Sequence, residues 1–329
     1  MKNSLLFLFA VLALVGCESA TDLPEPPHTP RVSLFYLLTP APQDSAFDEL
    51  FRQRQLYISS SQSVFKGEQL QGRANAAVEL RDAGGRVVER YRPVISNYVS
   101  SYGGDPGYYR PILGFRPQVG QAYTLRATLP GLETAESTLT LPAAPNIESA
   151  SFQSRSSSNP NTSYSYGRLT VTVADDPNAA NYYLVFAHLI DAQGKSLAYG
   201  SLEPDNDNQS SSANIEQVQL SSARSQFNLG AYGLQPFADT NLNGQRLTLT
   251  SNIRYNTGCY SQGPCPSAAF IEVTVSSLTA DTYNFYLSSR RYNDSDGNIF
   301  AEPAPLAGNV RQGYGLFGGA TDATYRIPL

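Results

Sequence analysis

The feature that most restricts the fold of this chain is a two-residue alternation of apolar and polar side chains within short segments. Residues 122–129 place Tyr123, Leu125 and Ala127 on one side of an extended chain, and Arg168–Val173 alternates in the same way. Such segments form strands that bury one face. Turn residues separate them at short intervals, and no long segment has the period of a helix. The sequence therefore predicts an all-β fold.

Other β-prone segments follow the same pattern. A hairpin is predicted where residues 76–81 and 86–89 flank the turn Asp82-Ala83-Gly84-Gly85, and residues 96–109 are predicted to form a loop. Thr282–Ser288 is predicted as a strand, with a short helix within Leu278–Arg291 as the alternative. The remaining predicted strands are Val32–Leu38, Leu56–Ile58, Glu136–Leu141, Ile147–Phe152, Tyr182–Ile190, Arg246–Tyr255, Phe270–Ser276 and Tyr325–Ile327.

Prolines divide the strands into two predicted domains. Pro142 and Pro145 mark the boundary. Residues 31–143 are predicted to form an N-terminal immunoglobulin-like β-sandwich, because short strands and frequent turns are typical of that architecture. Residues 144–329 are predicted to form a larger C-terminal β-sandwich domain.

The first seventeen residues predict export and lipid attachment. A charge at Lys2, an apolar run over Leu5–Leu14 and small residues before Cys17 are typical of a bacterial lipoprotein signal peptide over residues 1–16. The alternative is an ordinary signal peptide, or a short membrane helix, with a chance cysteine. Acyl chains on Cys17 would anchor the protein to a membrane. Residues 17–30, rich in proline, are predicted to form an extended tether.

The other two cysteines favour an oxidising compartment. Cys259 and Cys265 are separated by five residues, and we expect a disulfide between them in an exported protein. A redox pair or half a metal site is the alternative, but the chain has no CxxC motif, and its histidines are His28 and His188 alone.

Charge and motifs predict a non-catalytic protein. The net charge is −5 and no basic block occurs, so we expect no nucleic-acid partner. No Gly-x-Ser-x-Gly motif or zinc motif is present, and no neighbouring carboxylate orients His188 in the sequence. Residues 293–298 suggest calcium, but the EF-hand pattern fails and a polar turn is favoured, as it is for residues 205–208. We therefore predict no catalytic residues, no metal and no cofactor.

Tyrosines in two predicted loops are the candidates for contact with a ligand or partner. Exposed tyrosines can stack on sugars or contact a protein. The alternative is that tyrosine is simply frequent in exported β-proteins. The candidates are Tyr98, Tyr102, Tyr108 and Tyr109 in the first loop, and Tyr164 and Tyr166 in the second.

A series of short motifs occurs in a recognisable order. They are Ala77-Val78-Glu79-Leu80, Gly84-Gly85, Gly107-Tyr108-Tyr109, Asp175-Asp176-Pro177, Asn181-Tyr182-Tyr183, Asn243-Gly244, Tyr283-Asn284-Phe285-Tyr286, Phe300-Ala301-Glu302-Pro303 and Asn309-Val310 before Gly313-Tyr314-Gly315-Leu316-Phe317-Gly318. In these motifs the chain resembles the two-domain lipoproteins of unknown function in Bacteroidota, which are often encoded beside TonB-dependent outer-membrane receptors. It departs from them by a polar insertion at residues 40–55.

The resemblance implies a place and a partner, but no catalytic residue. It implies a lipid-anchored outer-membrane protein that serves a TonB-dependent transporter or another outer-membrane barrel as an accessory or cargo-capturing subunit. Glu18, Asp22 and Glu25 follow the anchor and favour the cell surface, with the periplasmic face as the alternative. The alternative functions are a glycan-binding or glycan-cleaving surface lipoprotein and a structural surface or adhesin module.

The glycine-rich C-terminal segment is predicted to pack. A disordered tail would leave Tyr314, Leu316 and Phe317 exposed to water without compensation. We expect these side chains to enter the C-terminal core, and we expect the glycines between them to allow bends or a close approach of the backbone.

Overall fold

The computed structural model describes residues 27–40, 54–63, 70–94, 106–156, 164–197, 201–205, 234–240, 242–256, 267–295 and 304–329. Within these residues the protein is nearly all β, with fifteen strands and one helix. The predicted all-β class is therefore confirmed. In the same ranges no helix is long and apolar enough to cross a membrane.

Most of the strands lie within a few residues of the predicted segments. The single described helix, α1 (Ala280–Ser295), lies between the last two strands. In chain order the strands are β1 (Val32–Leu38), β2 (Leu56–Ser60), β3 (Ala77–Asp82), β4 (Val87–Pro93), β5 (Tyr108–Pro111), β6 (Ala122–Thr128), β7 (Ala135–Thr140), β8 (Asn146–Arg155), β9 (Ser165–Ala174), β10 (Tyr182–Ile190), β11 (Ser201–Pro204), β12 (Phe237–Ala238), β13 (Arg246–Asn256), β14 (Phe270–Leu278) and β15 (Gly313–Pro328).

Strands from both halves of the chain share one large sheet. Its order is β12-β10-β14-β15-β1-β2-β5-β4-β3-β6-β7, and a second sheet has the order β11-β13-β9-β8. The two halves join where β15 pairs antiparallel with β14 and parallel with β1. The arrangement of two independent sandwiches is not confirmed, because one sheet continues through both halves. The boundary between residues 143 and 144 stays a prediction.

The N-terminal strands enclose a core of their own. The sheet curls from β1 to β7, and Glu136 on β7 meets Arg311 just before β15 through two backbone hydrogen bonds of 2.9 and 3.2 Å. The interior contains buried side chains from all seven strands, among them Tyr36 and Leu125, and Phe317 from β15. Burial of this apolar surface is the main force that holds the curled sheet together.

The C-terminal strands are covered on both faces. One face of β10, β14 and β15 packs against the second sheet, through buried side chains such as Val185, Val273 and Leu249. On the other face Leu184 and Phe186 pack with Tyr286 of α1 and Leu316 of β15. Burial raises the pKa of Tyr286 to about 12. The continuous apolar run of β10 is explained by this burial on two sides.

The predicted strand over Thr282–Ser288 is wrong, and the alternative helix is present as α1. The hydroxyl of Thr279 accepts a hydrogen bond from the backbone N–H of Thr282 at 3.4 Å, which is the position of a helix N-cap. Thr282 and Tyr286 lie four residues apart, and both are buried. Capping and packing of this one face override the β-preference of the aromatic residues.

The C-terminal segment packs, as predicted, and the structure shows that it pairs with β1. Phe317 is fully buried, but it enters the N-terminal core, so the expected place in the C-terminal core is wrong for this residue. Tyr314 is half exposed, and its predicted burial is also wrong. Gly315 has a φ of +103°, and a Cβ there would overlap the carbonyl oxygen of Leu34, so this glycine allows the predicted close approach.

Phe317→Ala should lower the free energy of unfolding by about 3–5 kcal/mol, because it removes a large buried ring and leaves a cavity. Urea denaturation of the variant and the parent measures this difference. The matched control is Tyr314→Ala, three residues earlier on the same strand, which should change stability by less than about 0.5 kcal/mol. Equal losses in the two variants would contradict the assigned packing of Phe317.

Candidate functional site

Three exposed arginines lie together on the outer face of β4 and β5. On β4, Arg90 and Arg92 alternate with the buried Glu89 and Tyr91, so both arginines point outward. Arg92 lies directly opposite Arg110 of β5. Side chains at directly opposite positions have Cβ atoms about 5 Å apart. The three guanidinium groups therefore form one cationic patch.

Apolar and aromatic side chains border this patch. Tyr108 lies two residues before Arg110 on the same face, and its ring packs edge-on against Tyr57 of β2 with 5.0 Å between centroids. At the other end Ile112 is 48% exposed, beside Arg90. We call this surface the arginine face. Its residues are Tyr57, Arg90, Arg92, Val94, Tyr108, Arg110 and Ile112.

The arginines of this face differ from neighbouring arginines, which form ion pairs with glutamates of the same sheet. On adjacent strands of the same sheet, Arg81 and Arg126 pair with Glu79. Glu79 lies directly opposite Arg90 in the β3–β4 pairing, but its Oε1 atom contacts Arg81 and, at 3.9 Å, Arg126. Within the described residues Arg90, Arg92 and Arg110 form no salt bridge. Two like charges directly opposite each other destabilise a sheet.

A buried carboxylate fixes the loop at the edge of the arginine face. Glu89 is 2% exposed and accepts hydrogen bonds from the backbone N–H groups of Ile112, Leu113 and Phe115 at 3.1, 2.6 and 2.8 Å. It also accepts one from the N–H of Arg90 at 2.8 Å. Three charge-assisted bonds hold the loop in one backbone conformation, although Leu113 at its tip is exposed.

The first tyrosine pair is divided between the two faces of β5. Both residues belong to a strand, so the predicted loop over 96–109 is wrong for its last two positions. Tyr108 faces outward and joins the arginine face. The expected exposure of Tyr109 is wrong: its ring is buried, and its hydroxyl donates to the carbonyl of Arg73 at 2.7 Å and accepts from the N–H of Ala76 at 2.8 Å. Burial raises the pKa of Tyr109.

The second tyrosine pair lies on the other sheet. Tyr164 and Tyr166 are half-buried at the start of β9, and the guanidinium of Arg254 lies 5.2 Å from the centroid of the Tyr164 ring. Arg254 is also paired with Glu203 at 3.2 Å. The structure therefore does not bring the two tyrosine pairs together in one site. Their role as contact residues stays a prediction.

Several predicted site residues lie outside the described residues. They are the lipidation site Cys17, the cysteines Cys259 and Cys265, and the loop tyrosines Tyr98 and Tyr102. The lipid anchor and the disulfide therefore stay predictions.

The acidic and histidine candidates have structural neighbours. His188 lies opposite Glu272, with 3.4 Å between Nε2 and a carboxylate oxygen. The sequence analysis did not find this carboxylate, because Glu272 is far from His188 along the chain. Asp205 is buried and paired with Arg155 at 2.6 Å. Among the described residues no group of three or more histidine, cysteine, aspartate or glutamate side chains could hold a metal ion.

Three of the sequence motifs meet in one loop cluster of the C-terminal half. The hydroxyl of Tyr183 donates to Asp175 at 2.7 Å, and the N–H of Gly244 donates to the other oxygen of that carboxylate at 2.8 Å. The side chain of Asn243 donates to the carbonyl of Pro177 at 3.1 Å. Burial and the hydrogen bond to Asp175 raise the pKa of Tyr183. These motifs therefore hold loops in place.

A buried ion pair fixes the segment before β2 to the C-terminal strands. Arg54 donates to both oxygens of Asp322 at 2.6 and 3.1 Å, and also to Ser276 at 2.9 Å. The side chain of Arg54 is 3% exposed, so the pair is desolvated. Removing one partner would leave a buried charge, which is strongly destabilising. We assign this group a structural role.

The arginine face is the strongest candidate site because its charges are exposed and form no ion pair with any residue that the structure describes. Arginine fixes carboxylates and phosphates through two parallel hydrogen bonds. Sequence reasoning missed these residues. Arg90 and Arg92 follow the predicted strand 86–89, which ended too early because the observed β4 continues to Pro93, and Arg110 follows the candidate tyrosines. The missing information was the pairing of β4 with β5, which sets Arg92 opposite Arg110.

Glu89→Gln should lower the free energy of unfolding by about 1.5–3 kcal/mol, because it replaces a charged acceptor of four backbone N–H groups by a neutral amide. Thermal or urea denaturation measures the change. Glu133→Gln, which alters an exposed glutamate elsewhere in the N-terminal half, should change stability by less than about 0.5 kcal/mol. A Glu89 variant as stable as this control would contradict the assigned role.

A comparison with known families gives a match over most of the chain. The model of a domain of unknown function, DUF4249, matches residues 45–326. A comparison with curated proteins finds no match.

Proposed function

The chain belongs to the DUF4249 family of domains of unknown function, and we propose that it is a non-catalytic, lipid-anchored binding protein of the outer membrane. It serves as an accessory or cargo-capturing subunit of a TonB-dependent transporter or another outer-membrane barrel complex. Acyl chains on Cys17 attach it to the membrane, and its folded part faces the cell surface. The Bacteroidota origin is part of this proposal.

The arginine face is the observation that carries the proposal of a binding role. The chain has a net charge of −5, yet Arg90, Arg92 and Arg110 are exposed side by side, and in the described part of the chain they form no ion pair. This arrangement weakens the sheet, whereas an anionic partner would offset the repulsion. The supporting strands are rigid, because their inward side chains fill the N-terminal core. A rigid surface with oriented charges favours recognition.

The predicted two-domain organisation gives the two halves separate tasks in this proposal. All residues of the arginine face fall within 31–143, the predicted immunoglobulin-like sandwich, which would contact the ligand or partner. The loop cluster around Asp175 and Gly244 falls within 144–329, the predicted larger sandwich, which would support it.

One alternative function is favoured by a specific observation. Half-buried Tyr57 and Tyr108 beside arginines suit a surface lipoprotein that binds glycans, since aromatic rings stack on sugar rings. Glycan binding is compatible with cargo capture, so it is a second candidate function of the same surface.

Purification of the tagged mature lipoprotein from membranes in a mild non-ionic detergent tests the proposal. We expect an outer-membrane barrel protein to be recovered with it in a fixed ratio, identified by mass spectrometry. The control is an unrelated lipoprotein carrying the same tag and recovered in the same detergent. Recovery of the protein without any barrel protein, or with the same barrel proteins as the control, would contradict the proposed complex.

A further inference from the structure

We propose that the arginine face binds an acidic saccharide, with a carboxylate or phosphate group of the sugar held between Arg92 and Arg110. The inference rests on the proposed function, because it names the chemical class of the cargo.

The charges of the face select an anionic ligand. Arg92 and Arg110 are directly opposite each other on two paired strands, and both are exposed. Each guanidinium presents a planar set of donors that matches a carboxylate or a phosphate. A single oxyanion between the two side chains can therefore accept hydrogen bonds from both and neutralise their repulsion.

The borders of the face select a ligand with rings. Next to Arg110 on the same strand lies Tyr108, which packs against Tyr57, and at the opposite end Ile112 is exposed. A sugar ring has apolar faces formed by C–H groups, which pack against aromatic and aliphatic side chains. An inorganic ion would use the arginines and leave these side chains unused.

The third arginine favours a ligand that has more than one acidic unit. Arg90 lies two residues from Arg92 on the same strand and face, about 6–7 Å further along the sheet. It has no carboxylate partner within the described part of the chain. A saccharide with an acid group on successive units would reach both Arg90 and the Arg92–Arg110 pair.

Isothermal titration calorimetry of the mature lipoprotein in non-ionic detergent tests this inference. The probes are tetragalacturonate, a heparin tetrasaccharide, neutral maltotetraose and inorganic phosphate. We expect at least one acidic tetrasaccharide to bind about tenfold or more tightly than maltotetraose and phosphate, and its affinity to fall as salt is added. Arg92→Gln/Arg110→Gln should reduce that affinity about tenfold or more.

Two controls separate binding from folding and from assembly. Arg168→Gln changes an exposed arginine without an ion pair on the other described sheet, and it should leave the affinity unchanged. The Arg92→Gln/Arg110→Gln variant should melt at or above the temperature of the parent, because a like-charge contact is removed. It should also retain the barrel protein in the purification, so loss of saccharide binding and failure of the proposed complex are distinguishable.

Four results would overturn the inference. They are no binding of either acidic tetrasaccharide, equal binding of maltotetraose, equal binding of phosphate alone, and unchanged affinity in the Arg92→Gln/Arg110→Gln variant. No binding of either acidic tetrasaccharide would show that the ligand class is wrong. Equal binding of maltotetraose would show that charge is not recognised, and equal binding of phosphate would show that the sugar ring is not recognised. Unchanged affinity in the variant would show that the site lies elsewhere.

Discussion

The parallel pairing of β1 with β15 is the constraint on which the rest of the fold depends. It joins the first strand of the domain to the last, from Val32 opposite Gly313 to Leu38 opposite Gly319. The backbones approach so closely that Gly315, at a φ of +103°, has no room for a side chain.

Asn309 strengthens the junction, because its side-chain amide exchanges two hydrogen bonds of 2.9 Å with the backbone of Phe317. From this strand Phe317 enters the N-terminal core, and Leu316 packs beneath the helix.

This junction also determines where a binding surface can form. The curled N-terminal sheet turns one face toward the core that contains Phe317, so the opposite face of β4 and β5 is left for the solvent. Glu89 is buried on the inner side and holds the loop after β5, whereas Arg90 and Arg92 on either side of Tyr91 point outward. The same alternation thus buries Glu89 and Tyr91 on one face and exposes, on the other, the arginines of the proposed binding surface.

Local sequence patterns predicted most of the strands. They failed where contacts between residues far apart in the sequence determine the secondary structure or the strand pairing. The buried run Tyr182–Ile190 coincides with β10, because burial on two faces requires a continuous apolar segment. Thr282–Ser288 forms a helix, because capping by Thr279 and packing of Tyr286 outweigh residue preference. The parallel pairing of β1 with β15 has no local signal, because the sequence of a strand does not show which other strand it pairs with. The same limit concealed the arginine face, which exists only because Arg92 and Arg110 meet across two strands.

Native-state hydrogen exchange tests most directly the claim that β15 unites both halves in one cooperative unit. The account predicts that the backbone amides of Leu34 on β1, Leu125 on β6 and Val273 on β14 exchange with the same free energy of opening, equal to the free energy of global unfolding. Exchange of the residue 31–143 amides at a clearly lower free energy, with Val273 still protected, would show that the N-terminal half unfolds independently. That result would contradict the account.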